Sequence, residues 1–245
     1  MTDRYQPLVS CLCVTEGRPE FMPWLLWCYD RQSWVNRELV VIDSSLEPLQ
    51  IEGRQDIRVV PTLHGISVAS KRNLAMNEAR GEIITWFDDD DWQHPLKIER
   101  LLPNLNKSTV YAGTKSGWFL DLFAEQCAKY RGTGRRIVFN SGIYLKSAID
   151  LVKFPNNKQK ASDTVWLQTI KSRYGDPYVI ADEHLFFWIS HSENLSNPAG
   201  RRRYNQPLDA LKRLVHQQLS SAGLFLDGGR LNPLFHWRVG GGATR

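Results

Sequence analysis

Residues Ile84–Pro95 read ITWFDDDDWQHP. An apolar run of strand type enters four consecutive carboxylates, Asp88 to Asp91, and a tryptophan follows at once. Adjacent carboxylates repel one another, so a stable fold must neutralise them. A divalent cation does so: Asp oxygens are hard ligands suited to Mn2+ or Mg2+, ions that also take substrate phosphate oxygens. The competing reading is a solvated loop or a capping cluster for the helix that Pro95 opens. Position favours the first, because the run lies between the strand EIITWF and that helix.

The surrounding sequence repeats a strand–helix rhythm. LVSCLCV (8–14) is a short apolar strand that Gly17 and Pro19 terminate in the loop TEGRP. EFMPWLLWCYDRQ (20–32) places Phe21, Leu25 and Cys28 at helical spacing. RELVVIDSS (37–45) gives a second buried strand ending at Asp43, and DIRVVPT (56–62) a third. GISVASKRNLAMNEAR (65–80) is helical, with Val68, Leu74 and Ala75 on one face and Gly81 as its stop. HPLKIERLLPNL (94–105) is a helix with Pro95 in its first turn. Such alternation specifies an α/β fold with a central, mostly parallel sheet flanked by helices. Ligands in such folds bind beyond the carboxyl ends of the strands. Thr15–Arg18, Asp43–Ser45 and Asp88–Asp91 all lie at such ends.

The second half is less regular. RRIVFNSGIYLKSAIDLV (135–152) reads as strand, turn at Asn140–Gly142 and helix. SDTVWLQTIKSRYG (162–175) is a helix closed by Gly175, and VIADEHLFFWISH (179–191) is one apolar strand ending at His191. Asn140 and Ser141 suit a ligand pocket or plain turn chemistry. Trp118 suits a stack on a ligand ring or, better, the core.

Of 245 residues, 42% are hydrophobic, enough for a substantial core, and no apolar run reaches the roughly 18–20 residues of a membrane span. With no signal-type segment at the N-terminus, a soluble cytoplasmic protein is expected. The four cysteines form no CxxC pair, and Cys11 and Cys13 face one side of a strand as buried thiols. Net charge is +5, unevenly placed: from Ser196 onward lie 8 of the 31 basic and 2 of the 26 acidic residues, leaving 23 against 24 elsewhere. A basic tail suits a polyanionic partner such as modified nucleic acid, and equally oligomer contacts or solubility.

Several of these stretches, in order, resemble the family 2 inverting glycosyltransferases of GT-A fold. VSCLCVTEGRPEFMPWLLWCYDRQSW (9–34) followed by RELVVIDSS is similar to that family's opening. ASKRNLAMNEARGEIITWFDDDDWQHPLKIERL (69–101) is similar to its nucleotide-sugar segment with an Asp-x-Asp motif. The likeness is strongest over Leu8–Leu102, weaker to His191, and gives nothing for the tail.

The resemblance implies a Rossmann-like donor half (1–105), a sugar and acceptor half (106–195) and a C-terminal helical or irregular extension (196–245). Thr15, Glu16 and Arg18 would wrap the nucleotide base and ribose, and Asp43 would accept a hydrogen bond from the base. Lys71 and Arg72 would reach the base or diphosphate. Asp88 would meet the ribose or the metal, Asp90 the metal, and Asp89 would share ribose contacts. KASDTVWLQTI (160–170) resembles the segment bearing the catalytic base, which makes Asp163 that base; ISHSENLSN (189–197) makes His191 a metal or diphosphate ligand.

Departures are visible. Ala161-Ser162 stands where the family often has Gly-Glu, and Ala75 where it often has Gly. The Gln-x-x-Arg-Trp signature of processive synthases is absent, which points to single-sugar addition.

The expected activity is transfer of one sugar from a nucleotide-diphosphate sugar, a UDP-sugar first among them, to an acceptor hydroxyl. The metal with Lys or Arg would stabilise the leaving diphosphate, and one carboxylate would take the acceptor's proton. Each residue also has a plainer role: Asp43 as a turn cap, Lys71 and Arg72 as helix charges, Asp163 as an N-cap and His191 as a structural histidine. Two other classes remain: a metal-dependent nucleotidyl or phosphoryl transferase, and a non-catalytic sugar-nucleotide or nucleic-acid binder.

Overall fold

In the computed structural model, which describes residues 5–121, 126–131, 136–156, 162–181, 184–190 and 206–207, the first strand, β1 (Val9–Thr15), is buried along its whole length. Val9, Cys11 and Cys13 enter one core with Leu25, Tyr29 and Ile98, while Leu12 and Val14 enter another with Ala69, Ala75 and Met76. A strand covered on both faces shows no polar alternation, which is why LVSCLCV reads as a continuous apolar run. The thiols of Cys11, Cys13, Cys28 and Cys127 are buried and form no disulfide among the described residues.

The chain continues through α1 (Met22–Asp30), β2 (Arg37–Asp43), β3 (Ile57–Pro61), α2 (Val68–Glu78), β4 (Ile83–Trp86), β5 (Trp92–Gln93) and α3 (Lys97–Leu101). After these come β6 (Tyr111–Thr114), β7 (Ser116–Asp121), β8 (Gln126–Arg131), β9 (Ile143–Leu145), α4 (Lys146–Ile149), α5 (Ser162–Tyr174), β10 (Tyr178–Ile180), β11 (Phe186–Ser190) and β12 (Gln206–Pro207). Seven strands form the main sheet in the order β10-β6-β9-β4-β1-β2-β3. β1, β2, β3 and β4 are parallel, and β9 runs antiparallel between β4 and β6. After β1 the chain moves outward to β2 and β3, then returns to the other side of β1 as β4. The strand order therefore switches between β1 and β4, and a crevice opens beyond their carboxyl ends.

A second, five-stranded sheet has the order β12-β8-β7-β11-β5. The sequence reading did not include it, nor strands β7 and β8. Trp118 belongs to its core at 2% exposure, in keeping with the packing role. The segment 179–191 is two strands in two sheets rather than one: β10 pairs with β6, and β11 pairs with β7 and β5. The polar residues Asp182 to His184 divide the two apolar runs. His191 and the extension, apart from β12, lie outside the described residues.

Two other expectations are corrected. No strand forms at Arg136–Val138; the Val138 N–H donates to Thr114 O at 2.7 Å and the chain enters a 3-10 turn at Phe139–Ser141. Pro95 precedes α3 rather than entering its first turn, because the Leu96 N–H donates to His94 Nδ1 at 2.9 Å and the helix begins only at Lys97. Gly81 is also more than a helix stop. A Cβ there would meet Leu8 O at 2.5 Å and the Ser10 amide at 2.7 Å, so the backbone approaches β1 as only glycine allows.

Beneath the crevice lies an aromatic cluster. Trp86 stacks on Phe139 at 5.3 Å between centroids and meets Phe154 edge-on at 5.5 Å, and Phe154 stacks on Trp166 of α5 at 4.6 Å. Trp166 is fully buried, and its Nε1–H donates to Val152 O at 2.6 Å. Trp166→Ala should therefore cost about 3–5 kcal/mol of stability. Urea denaturation checks this; a loss below about 1 kcal/mol would show that the cluster collapses around the cavity.

Candidate functional site

The four carboxylates occupy the switch point, and each takes a different environment. Asp89 is turned inward with no side-chain exposure. It accepts a 2.6 Å hydrogen bond from Thr15 Oγ1 at the end of β1 and pairs with Arg18. Asp91 is also sealed: it accepts from the Ile189 N–H of β11 at 3.1 Å and from Asn140 Nδ2 at 3.2 Å. Its main-chain carbonyl accepts from Trp24 Nε1 at 3.0 Å. Asp88 and Asp90 keep open surface, 22% and 12% of their side chains. Asp88 Oδ2 accepts from Asn140 Nδ2 at 2.5 Å and lies 3.9 Å from Arg72 Nη2, whereas its Oδ1 is buried with no hydrogen-bond partner. Asp90 Oδ2 accepts from Arg18 Nη1 at 3.0 Å.

Burial, reinforced by the neighbouring Asp90 charge, pushes Asp89 up to about 7. Asp91 is raised well above the carboxylate range by burial and by Asp90 and Asp88. Asp88 is raised mainly by burial, against the pull of the Arg72 guanidinium. Arg18 and Arg72 thus do not offset burial and mutual repulsion among these carboxylates.

The loop after β1 is built as a unit. Gly17 takes φ +62° and its N–H donates to Ser45 Oγ at 2.7 Å, joining the ends of β1 and β2. Lys71, 3% exposed, reaches up from α2 and donates to Glu16 Oε2 at 2.8 Å, Ser44 Oγ at 2.9 Å and Thr15 O at 3.3 Å. Burial opposes ionisation of Glu16, but the bonds from Lys71 and Ser44 hold its carboxyl below the usual range. Asp43 caps the next loop, accepting from the Ser45 N–H at 3.0 Å and the Leu49 N–H at 2.7 Å. Both of its carboxylate oxygens serve this turn. Arg72 lies over the rings of Phe139 at 4.6 Å and Phe154 at 5.6 Å, which aims its guanidinium at Asp88.

Asp163 stands in the first turn of α5, half-buried, with Oδ1 accepting from the Thr164 N–H at 2.7 Å. One turn on, Trp166 meets Trp86 edge-on at 6.5 Å, so α5 packs on the residue two positions before Asp88. The structure thus gathers Thr15, Arg18, Asp89 and Asp90 in direct contact and pairs Arg72 with Asp88. It sets Glu16 and Lys71 behind Thr15, and places Asp43 and Asp163 on adjoining elements.

Asn140 proves to be more than a turn residue, since it bonds both Asp88 and Asp91. Lys97 was missed. A lysine at the start of a helix opposes the helix dipole, and that unfavourable placement was its signal.

The oxygen-only donor set, the unpartnered Asp88 Oδ1 and the gathering of four carboxylates against two guanidinium groups fit a hard divalent cation. Among the described residues no group of three or more His, Cys, Asp or Glu side chains stands ready to hold a metal alone. A cation bound through one or two carboxylates, completed by substrate oxygens and water, matches that arrangement.

Residues 28–122 match the model for glycosyl transferase family 2. This segment is a family 2 glycosyltransferase domain. It holds the acidic run, α2 with Lys71 and Arg72, and all but the first strand of the sheet's switch point. The family 2 domain and its surroundings share their fold with solved structures at low identity. Residues 1–349 of S. aureus TarS match with a TM-score of 0.58 at 17% identity, covering 74% of this chain and 60% of that one. The same TarS fragment in complex with UDP-GlcNAc matches with a TM-score of 0.58 at 15% identity, covering 89% and 67%. The mannosyltransferase PcManGT from Pyrobaculum calidifontis, in complex with GDP-Man and Mn2+, matches with a TM-score of 0.59 at 15% identity, covering 96% and 69%. The chain thus spans 60% of the first TarS structure's length. No curated protein matches this sequence. The fold is the GT-A arrangement, a central mostly parallel sheet flanked by helices. No helix among the described residues is long and apolar enough to cross a membrane.

Proposed function

We propose that the protein is a metal-dependent, inverting glycosyltransferase that moves one sugar from a nucleotide-diphosphate sugar, by preference a UDP-sugar, to an acceptor hydroxyl. The observation that carries this reading is the sorting of the acidic run. Asp89 and Asp91 are tied inward to β1 and β11, while Asp88 and Asp90 keep open surface at the switch point. Two outward carboxylates beside two guanidinium groups suit a metal-bound diphosphate. Asp90 and Asp88 would hold Mn2+ or Mg2+, which supplies positive charge to the leaving diphosphate.

The remaining chemistry belongs to the chain's own residues. Arg72, aimed by its aromatic platform, adds positive charge on the diphosphate side. The loop Thr15–Arg18, braced by Lys71, flanks the nucleoside, and Asp43 fixes the loop beyond it. Asp163 takes the acceptor proton as the hydroxyl attacks the anomeric carbon; with one base and direct displacement, the configuration inverts. The complexes of TarS with UDP-GlcNAc and of PcManGT with GDP-Man and Mn2+ support a nucleotide-sugar donor and a divalent ion. The late histidine, His191, is proposed as a further metal or diphosphate ligand, and the basic extension as a contact for a polyanionic acceptor.

A thermal-shift screen of UDP- and GDP-sugars tests the reading. At a donor concentration about 100-fold above Kd the native state gains about 2.7 kcal/mol, which for a chain of this size raises Tm by roughly 5–10 °C. The rise should appear in Mn2+ and vanish in EDTA. No rise with any nucleotide sugar, or the same rise in EDTA, would defeat the proposal. Nucleotide turnover without sugar transfer would favour a nucleotidyl or phosphoryl transferase instead.

A further inference from the structure

Lys97 is fully buried, and its ammonium lies just behind the acidic run. It donates to Trp86 O at 3.0 Å, Gln93 Oε1 at 2.8 Å and Asn140 O at 2.6 Å. Three donors meet three neutral acceptors, and each acceptor belongs to a different piece of the site. Trp86 ends β4 where the acidic run begins. Gln93 lies in β5, where the run ends. Asn140 carries the amide that bonds Asp88 and Asp91. Burying an ammonium among neutral groups is costly, and a core that needed only volume would use leucine or methionine. Burial pulls Lys97 down to about 7, while the charges of Asp88 and Asp91 favour its protonated form.

We propose that Lys97 is a positioning residue of the donor site: its ammonium ties both ends of the acidic run to the Asn140 turn and so fixes Asp88 and, through Asp91, the loop that carries Asp90. The inference rests on the glycosyltransferase reading for its consequence, though not for its geometry. Without the clamp, the Trp86 and Asn140 carbonyls are left buried and unpaired, and Asn140 no longer has a fixed place from which to hold Asp88. Partners behind liganding groups typically set about 10–100-fold in affinity.

The test uses the full chain with Lys97→Met, Lys97→Gln and Asn140→Ala. Two measurements are made: amide hydrogen exchange without ligand, and titration with UDP in Mn2+. Lys97→Met should speed exchange at residues 87–91 and 139–142 while leaving β2 and β3 protected. It should also weaken UDP binding by about tenfold or more. Combined with Asn140→Ala, the losses should not multiply, because both changes release the same turn. Lys97→Gln keeps amide donors without the charge and should fall between wild type and Lys97→Met; if Lys97→Met does not fold, it takes over both measurements. Unchanged exchange at 87–91, or UDP affinity within about twofold of wild type, would overturn the inference. Losses that multiply with Asn140→Ala would overturn it too. If wild type binds no nucleotide, the functional reading fails while the exchange arm still decides whether Lys97 clamps the loop.

Discussion

Asp90→Ala should abolish Mn2+-dependent donor binding and leave the protein folded. The side chain keeps open surface at the crevice, and Arg18, which donates to it, keeps Asp89 when Asp90 is removed. The Arg18–Asp89 pairing therefore survives the change, whereas a metal–diphosphate complex loses a principal ligand. UDP affinity in Mn2+ should fall by about 100-fold or more, the upper end of what such site changes cost. The apo protein should respond differently. Asp89, held at about 7 against an ordinary 3.8, keeps a proton that the unfolded chain releases. Its contribution to stability is full at low pH and is lost as pH rises from about 4 to 7. Asp90's charge is the second cause of that elevation, after burial. The variant should therefore lose less stability than wild type across this window. Thermal melts from pH 4 to 8 and titration with UDP check the two halves separately. Unchanged UDP affinity in Mn2+ would remove Asp90 from the metal.

Asp163→Asn should leave donor binding intact and remove transfer. Asparagine also accepts a hydrogen bond from the Thr164 N–H, so the first turn of α5 keeps that bond. Trp166, one turn on, stays in the aromatic cluster. What is lost is a carboxylate able to take a proton. General-base assistance contributes about 100- to 10,000-fold, so kcat should fall by that factor with the donor Kd unchanged. Full transfer activity in the variant would show that Asp163 only caps its helix.

Much of the first hundred residues was legible because their strands are buried on both faces and end abruptly in polar residues. β1, β2 and β4 stop at Thr15, Asp43 and Trp86, close to where the apolar runs stop in the sequence. The division within the acidic run was partly legible: the resemblance favours Asp90 and Asp88 as ligands, while Asp91 suits holding the loop and touching a ligand equally. The sequence did not show what holds Asp89 and Asp91. Their partners, Thr15 and the Ile189 N–H, are 74 and 98 residues away, and no local pattern encodes such contacts. The second sheet was hidden for a related reason. β5 and β12 are two residues each, too short for any periodicity, and β7 and β8 are identified as strands by pairing with each other. Asp43 and Asn140 illustrate the limit for single side chains. Turn chemistry and ligand chemistry use the same residue types, and only contacts distinguish them.

The passage from Trp86 to Trp92 has a mechanical consequence. The chain leaves the seven-stranded sheet at Trp86 and joins the five-stranded sheet at Trp92, so residues 87–91 are a joint between two frames. Asp89 is bolted to the first frame through Thr15, and Asp91 to the second through Ile189. Asp90 sits between the two bolts. A change in the lean of one sheet against the other bears on those five residues, as it does on Lys115 between β6 and β7. A load placed on the smaller sheet thereby has a short route, through Asp91, to the carboxylates at the switch point.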